Sequence, residues 1–183
     1  MKKSNYKIIK FYLFLSLLLV FIFSNFFFSQ NAFSQDSTPY ELIGSIAIYL
    51  FDPYNSVPLT AERYAIGNLQ DYLYLNKIKT YYLGKITLDA AIILAKDKGV
   101  NYLIQIKANL SEIINSVEGY GATYFVEVEV INISDRKTIF SSTNKASVER
   151  TLSESIAQAY SLSNAIKGAA EKIINDIVNL FKK

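Results

Sequence analysis

The 183-residue chain contains no cysteine, no histidine and no tryptophan. Without cysteine it can form no disulfide and carry no lipid on a processed N-terminal cysteine. Without histidine or cysteine it lacks the usual zinc and haem ligands, and it cannot form a Ser-His-Asp or Cys-His catalytic group. Any chemistry would have to come from Asp, Glu, Lys, Arg, Ser, Thr or Tyr. We therefore expect neither a bound metal nor a cofactor.

Acidic residues are absent from the beginning of the chain, where the first one is Asp36. Four lysines precede it, and they account for the formal net charge of +3 (Lys2, Lys3, Lys7 and Lys10). From Gln35 onward, 15 basic residues face 16 acidic ones, and the longest basic runs are pairs. A nucleic-acid-binding protein needs a clustered basic surface. We therefore do not expect a nucleic-acid partner.

The first 34 residues have the three regions of an export signal. A basic stretch ends at Lys10, residues 11–28 are mostly apolar, and Ala32-Phe33-Ser34 places small residues before Gln35. This pattern predicts a signal peptide over residues 1–34 and a periplasmic or extracellular location. The alternative is an uncleaved inner-membrane anchor, because this 18-residue stretch, although broken by Ser16, Ser24 and Asn25, reaches the lower limit for a spanning helix. In both cases we expect membrane contact only through the leader.

Residues 35–183 show no second apolar span, no internal repeat and no linker, which predicts a single domain. The stretch Leu42–Phe51 is apolar on both faces, as in a central buried strand. Thr60 and Thr87 are placed to cap two helices. Three alternating strands follow, and apolar residues from Leu162 to Leu180 recur at helical spacing. The expected fold is α/β (α+β), in the order β-α-β-α-β-β-β-α, with about five strands in a mixed sheet and helices packed on it.

Three stretches resemble a group of small domains of the bacterial cell envelope. These stretches are IAIYLFD at Ile46–Asp52, the helix, glycine and strand passage of Ile93–Leu110, and the hairpin of Val126–Ser142. The group comprises the curli-secretion lipoprotein family, the activators of penicillin-binding proteins and the N-terminal domain of the Tol-Pal β-propeller protein. The resemblance implies a non-enzymatic accessory protein that binds another envelope protein.

Two carboxylates leave an enzymatic alternative open. Glu127 and Glu129 share one face of a predicted strand, about 6.6 Å apart by strand rise, and such a pair could serve a periplasmic hydrolase or glycan-acting enzyme. The alternation of these glutamates with valines favours a solvated strand face instead. Asp52, at the end of the first strand, lies where a cleft can form, but its residue type favours capping the turn at Pro53-Tyr54.

Two further patterns have ordinary explanations. Ser142 and Lys145 match the Ser-x-x-Lys motif of serine acyltransferases, but in a strand the two side chains point to opposite faces. Gly119-Tyr120-Gly121 lacks the residues of a phosphate loop and suits a tight turn. We therefore expect no catalytic residue.

Tyrosine is abundant, with 14 in the chain. Tyrosine is common at protein interfaces because it joins a large apolar area to a hydrogen-bonding tip. Tyr74, Tyr81 and Tyr82 are the candidate partner-binding residues, although packing in or near the core is their simpler role.

Overall fold

The elements follow the predicted order. The computed structural model describes residues 41–182, so the predicted signal peptide and its cleavage site lie outside the described residues and stay predictions. The strands and helices are β1 (Gly44–Phe51), α1 (Leu59–Leu75), β2 (Ile78–Lys85), α2 (Leu88–Asp97), β3 (Tyr102–Ser116), β4 (Gly119–Asn132), β5 (Thr138–Thr151) and α3 (Glu154–Leu180).

The five strands form one mixed sheet in the order β2-β1-β3-β4-β5. β1 pairs in parallel with β2 and β3, and the β3–β4 and β4–β5 pairs are antiparallel. This confirms the predicted fold class. β1 lies inside the sheet, between β2 and β3, and helices cover both faces of the sheet at this strand. Its side chains are apolar on both faces, which suits this buried position.

The larger core lies between one sheet face and the helices α1 and α3. It includes Ile46, Ile48 and Leu50 of β1 and the valines of β4. A smaller core on the opposite face joins Ala47 and Tyr49 to α2. Because α2 is only 10 residues long, much of that second face lies open over β3, β4 and β5.

One predicted helix cap is confirmed and one is wrong. The Thr87 Oγ1 atom accepts a hydrogen bond from the backbone N–H of Ala90 at 3.5 Å, and Gly99 has the expected positive φ of 69°. The first helix, however, starts at Leu59 rather than after a Thr60 cap. Pro58 occupies the N-cap position without any side-chain hydrogen bond.

The β3–β4 hairpin is longer than the alternation predicts. A bulge between Leu110 and Glu112 shifts the side-chain pattern by one residue, which hides the continuation of β3 to Ser116. Gly119 has a φ of 133° beside the turn, so it serves the turn as expected. Gly121 lies within the strand, where a Cβ atom would come within 3.0 Å of the Val148 carbonyl oxygen.

None of the helices within residues 41–182 is both long enough and apolar enough to cross a membrane.

Candidate functional site: a cleft at the end of β1

The connections around β1 open a crevice in the sheet. α1 follows β1 on one face, and α2 follows β2 on the other, while β1 lies between β2 and β3. In open sheets with parallel strands, ligands bind beyond the carboxyl ends of the strands at the point where successive connections diverge. In this protein that point lies between the end of β1 and β3. We call this end of the sheet, where β1 and β2 end and α1 and α3 begin, the cleft end.

A cleft of about 490 Å³ lies at this position. Its aromatic walls are partly exposed: Phe51 of β1 is 37% exposed, Phe125 of β4 is 43% exposed, and Tyr54 of the intervening loop is 90% exposed. The remaining lining residues are Asp52, Pro53, Ser56, Lys107, Ala108, Asn109 and Glu127. Three of the ten lining residues are therefore aromatic, and polar groups come both from the loop and from β3 and β4.

Asp52 shapes the loop that forms one wall. Its Oδ1 atom accepts hydrogen bonds from the Ser56 backbone N–H at 2.8 Å and the Ser56 hydroxyl at 3.0 Å, and its Oδ2 atom accepts one from the Val57 N–H at 2.9 Å. Burial alone would raise the pKa of Asp52, but these bonds and Lys85 outweigh it and lower the pKa below its usual value. Asp52 therefore caps the turn as predicted, and its carboxylate is fully engaged.

Lys85 of β2 ties this loop to α1. Its Nζ atom lies 3.2 Å from Asp52 Oδ2 and 3.4 Å from Glu62 Oε2, and it donates to the Val57 carbonyl. The Tyr82 hydroxyl donates to Glu62 Oε1 at 2.6 Å. The two buried carboxylates thus share the ammonium group of Lys85, and Glu62 also accepts the hydrogen bond from Tyr82. These contacts connect the loop to β2 and α1.

The predicted glutamate pair lies on the open sheet face beside the cleft. Lys107 Nζ lies 3.2 Å from Glu127 Oε2 and 2.6 Å from Glu129 Oε2, and only Glu127 lines the cleft. Burial alone would lower the pKa of Lys107, but its bonds to both glutamates and their charge raise the pKa. The pair shares one face, as predicted, and it is bridged by a lysine that the sequence reasoning did not connect with it.

Tyr49 of β1 presents a feature that the sequence reasoning missed. The side chain is fully buried, and its hydroxyl has no hydrogen-bond partner among residues 41–182. Burial and the nearby charge of Glu129 raise the pKa of this phenol. In the sequence, Tyr49 is recognisable only as a hydroxyl-bearing side chain within the apolar stretch of β1.

The three candidate tyrosines do not form one surface. Tyr82 packs against the larger core, whereas Tyr81 lies on the opposite face of β2, with Lys79 Nζ 5.0 Å from the centre of its ring. Tyr74 is half exposed on α1. Because neighbouring strand residues point to opposite faces, Tyr81 and Tyr82 cannot meet one partner surface together. Their role in partner binding stays a prediction.

Ser142 and Lys145 also lie on opposite faces of β5, as predicted. Ser142 is in register with the buried Val128, and Lys145 with the cleft residue Phe125. Within residues 41–182, no group of three or more acidic side chains is placed to hold a metal ion.

A second apolar depression lies at the cleft end, between the first turns of α1 and α3. It has a volume of about 230 Å³ and includes Ile156 and Ala159. The rings of Tyr64 and Tyr160 meet edge to face there, with their centres 5.2 Å apart. The cleft end therefore carries two neighbouring areas of exposed apolar side chains.

No protein-family model matches this chain, and no curated protein matches it. Solved structures with a similar fold include bacterial lipoproteins. The lipoprotein GNA1162 from Neisseria meningitidis is 9% identical, with a TM-score of 0.47, and the match covers 72% of this chain and 99% of that one. A minor lipoprotein from Acinetobacter baumannii is 14% identical, with a TM-score of 0.39 and coverages of 76% and 94%.

The PelC dodecamer from Paraburkholderia phytofirmans is another similar structure. It is 15% identical to this chain, with a TM-score of 0.46, and the match covers 69% of this chain and 87% of PelC. The likeness in these structures is one of fold. The closer relation to the curli-secretion, penicillin-binding-protein activator and Tol-Pal group stays a prediction.

Proposed function

We propose that this protein is an exported, non-enzymatic accessory protein of the bacterial cell envelope, and that it binds another envelope protein through the cleft at the end of β1. The leader supports export, because its basic, apolar and small-residue regions follow one another in the order of a signal peptide. The cleft supports binding, and the observation that carries the proposal is its exposed aromatic wall.

Phe51, Tyr54 and Phe125 place three aromatic side chains around one concave surface. Aromatic residues concentrated in a partly exposed depression are typical of interface centres, where they supply much of the binding energy. Asp52 and Lys85 hold the loop that carries Tyr54 in place. The loop therefore loses little conformational entropy when a partner binds.

The charge of the cleft end favours a basic partner segment. Four cations and seven carboxylates belong to this end, which gives a net charge of −3 (Arg63, Lys85, Lys107 and Arg150; Asp52, Glu62, Glu112, Glu118, Glu127, Glu149 and Glu154). A partner that inserts an apolar side chain and surrounds it with lysine or arginine would complement this surface.

The carboxylates give a hydrolase little support. A general acid near neutral pH needs a raised pKa, whereas the pKa of Asp52 is lowered. Glu127 and Glu129 are both ion-paired to Lys107 and partly exposed. The cleft therefore offers an aromatic surface rather than a converging pair of carboxylates with one proton between them.

Site-specific photocrosslinking in the native host tests the proposal. We expect p-benzoylphenylalanine at position 54 to capture one defined envelope protein, because Tyr54 projects from the cleft wall. The same group in place of Ile93, an exposed apolar residue of α2 away from the cleft, is the matched control.

The variant Phe125→Ser, combined with the crosslinker at position 54, should lose the captured protein while the chain stays folded and exported. Equal capture from positions 54 and 93, or capture that survives Phe125→Ser, would show that the cleft is not the binding surface. Identification of the captured protein by mass spectrometry then decides whether it belongs to the envelope.

A further inference from the structure

The outer edge of the sheet at β5 is long and has no neighbouring strand. β5 spans Thr138–Thr151, which is 14 residues, and its one strand neighbour among the residues that the structure describes is β4. Strands in globular proteins are usually about 5–6 residues long, and proteins often shorten an edge strand or interrupt it with proline. β5 contains no proline. Its edge therefore presents backbone donors and acceptors to which another strand can add.

The backbone groups of alternate residues of β5 point to this open edge. Ser161 Oγ accepts a hydrogen bond from the Tyr124 N–H and donates one to the Ala146 carbonyl, so the Ala146 backbone faces β4. Successive residues of a strand direct their backbone groups to opposite sides. The residues on either side of Ala146 therefore direct theirs away from β4. In the middle of the strand these outward-facing residues are Lys145, Ser147 and Glu149.

Both ends of this edge are obstructed, and the stretch between them is open. Lys172 of α3 donates a hydrogen bond to the Thr143 carbonyl at 2.6 Å. Farther along, Arg150 has a φ of 60°, and the register with β4 shifts between Val148 and Thr151. Lysine side chains and bulges are devices that block pairing at an edge. Residues 144–149, which lie between these obstructions, are left free to pair.

The charges of the free stretch are symmetric about Ser147. Lys145 and Glu149 lie two residues to either side of it, and both are exposed. Neither forms an ion pair within residues 41–182. If two copies of the strand pair antiparallel about Ser147, each Lys145 lies opposite the Glu149 of the other copy. Opposite charges in such a cross-strand pair are favourable.

From these observations we infer that β5 pairs antiparallel with β5 of a second copy of this chain, about a two-fold axis at Ser147. Three opposed residue pairs then exchange about six main-chain hydrogen bonds. Thr143 keeps its bond to Lys172, because it lies outside the paired stretch. β5 contributes none of the residues that line the cleft, so the inference does not depend on what binds there.

The opposite edge of the sheet is a poorer match for β5. β2 is only 8 residues long, and Gly84 near its end has a φ of 94°. Its charged residues, Lys79 and Lys85, are both cations, so β2 offers no carboxylate to Lys145. Pairing of β5 with β2 would also continue from copy to copy, whereas pairing of β5 with itself closes at two. We therefore expect a dimer.

A cysteine placed at the axis locates the contact. The chain has no cysteine of its own, so a single introduced one forms a disulfide only with its counterpart in another copy. Opposed residues that exchange hydrogen bonds have Cα atoms about 5.5 Å apart, which a disulfide can span. Residues 35–183 contain every strand and helix that the structure describes. We expect Ser147→Cys in this form to give a disulfide-linked dimer on mild oxidation.

Ser141→Cys is the matched control for the cysteine experiment. Ser141 is an exposed serine of the same strand, and its side chain points to the same face as Ser147. In the inferred dimer the two copies of this position would lie about 40 Å apart by strand rise. We therefore expect little disulfide-linked dimer from Ser141→Cys.

Reversal of the two charges tests the register of pairing. Lys145→Glu sets like charges opposite each other in its own dimer, and Glu149→Lys does the same. Each should raise the dimer dissociation constant, measured by sedimentation equilibrium, about tenfold or more. An equimolar mixture of the two variants should associate as the unsubstituted chain does, because Glu at 145 then faces Lys at 149 in the other copy. The double variant Lys145→Glu/Glu149→Lys should recover association in the same way.

Two variants of α2 are the matched controls for the charge reversal. Lys96→Glu and Asp97→Lys make the same charge changes at exposed positions away from β5, and neither should alter association. Thermal unfolding checks that every variant is folded. The inference is overturned if residues 35–183 stay monomeric up to about 1 mM or assemble beyond a dimer. It is also overturned if Ser141→Cys crosslinks as readily as Ser147→Cys, or if the mixture of charge variants stays as dissociated as its components.

Discussion

The hydroxyl of Tyr49 is a buried polar group that lacks a hydrogen bond within the described residues. The phenol is buried in the smaller core, and its oxygen has no hydrogen-bond partner among the described residues. A buried unsatisfied polar group costs about 1–3 kcal/mol. The neighbouring position in register on β3 is Gln105, and Glu129 is close enough to raise the pKa of the phenol.

Tyr49→Phe should therefore stabilise the protein. Removing the hydroxyl keeps the ring packing and removes the unsatisfied group, so we expect the free energy of unfolding to rise by about 1 kcal/mol. Urea unfolding followed by circular dichroism measures the change. Tyr124→Phe is the matched control, because the Tyr124 hydroxyl donates to Gln158 Oε1 at 3.2 Å. A loss of stability in Tyr49→Phe equal to that in Tyr124→Phe would contradict the prediction.

Helix α3 contacts the sheet through hydrogen bonds as well as through its apolar stripe. The predicted stripe is confirmed, since Leu162, Ile166, Ile173 and Ile177 are buried in the larger core. In addition, Ser161 Oγ accepts a hydrogen bond from the Tyr124 N–H at 3.1 Å and donates to the Ala146 carbonyl at 2.7 Å. A helix side chain thus bridges β4 and β5 at a pair of opposed residues.

We expect Ile173→Ala to lower the free energy of unfolding by about 2–5 kcal/mol, because it empties a buried site in the larger core. Lys172→Ala, at the adjacent exposed position, should cost less than about 1 kcal/mol. Its ammonium group donates to the Thr143 carbonyl and to Asn144 at the surface. Thermal melting of the two variants compares them, and equal small effects would mean that α3 is not docked.

The stability of the whole molecule should change at alkaline pH and stay nearly constant around neutral pH. With no histidine or cysteine, few side chains titrate between about pH 6 and 9, so the stability should be nearly constant there. Burial, with a smaller contribution from nearby carboxylates, raises the pKa of Tyr124 to about 12, and burial also raises the pKa of Tyr49 and Tyr82.

Because the pKa values of these tyrosines are raised, we expect the protein to lose stability at alkaline pH. In the unfolded chain a tyrosine has its ordinary pKa of 10.0, whereas burial raises the pKa of Tyr124 in the folded chain to about 12. Above pH 10 the unfolded state therefore binds fewer protons, and stability is lost as pH rises through the folded pKa. Urea midpoints measured from pH 7 to 12 should stay level and then fall. A midpoint that is unchanged at pH 11.5 would contradict this expectation.

Periodicity and residue type alone predicted much of this protein. Double-sided apolarity placed β1 at the centre of the sheet, Thr87 and Gly99 marked the two ends of α2, and helical spacing identified the buried side of α3. These are local properties, because a 2-residue or 3.6-residue period is visible in any stretch long enough to show it. The same reasoning failed at the bulge in β3, where one extra residue interrupts the alternation.

The site came only from the tertiary structure. Lys107 and Glu127 are 20 positions apart in the sequence, and Asp52 and Lys85 are 33 apart, so no local period connects them. The cleft exists because α1 and α2 cover opposite faces on either side of β1, which depends on strand order.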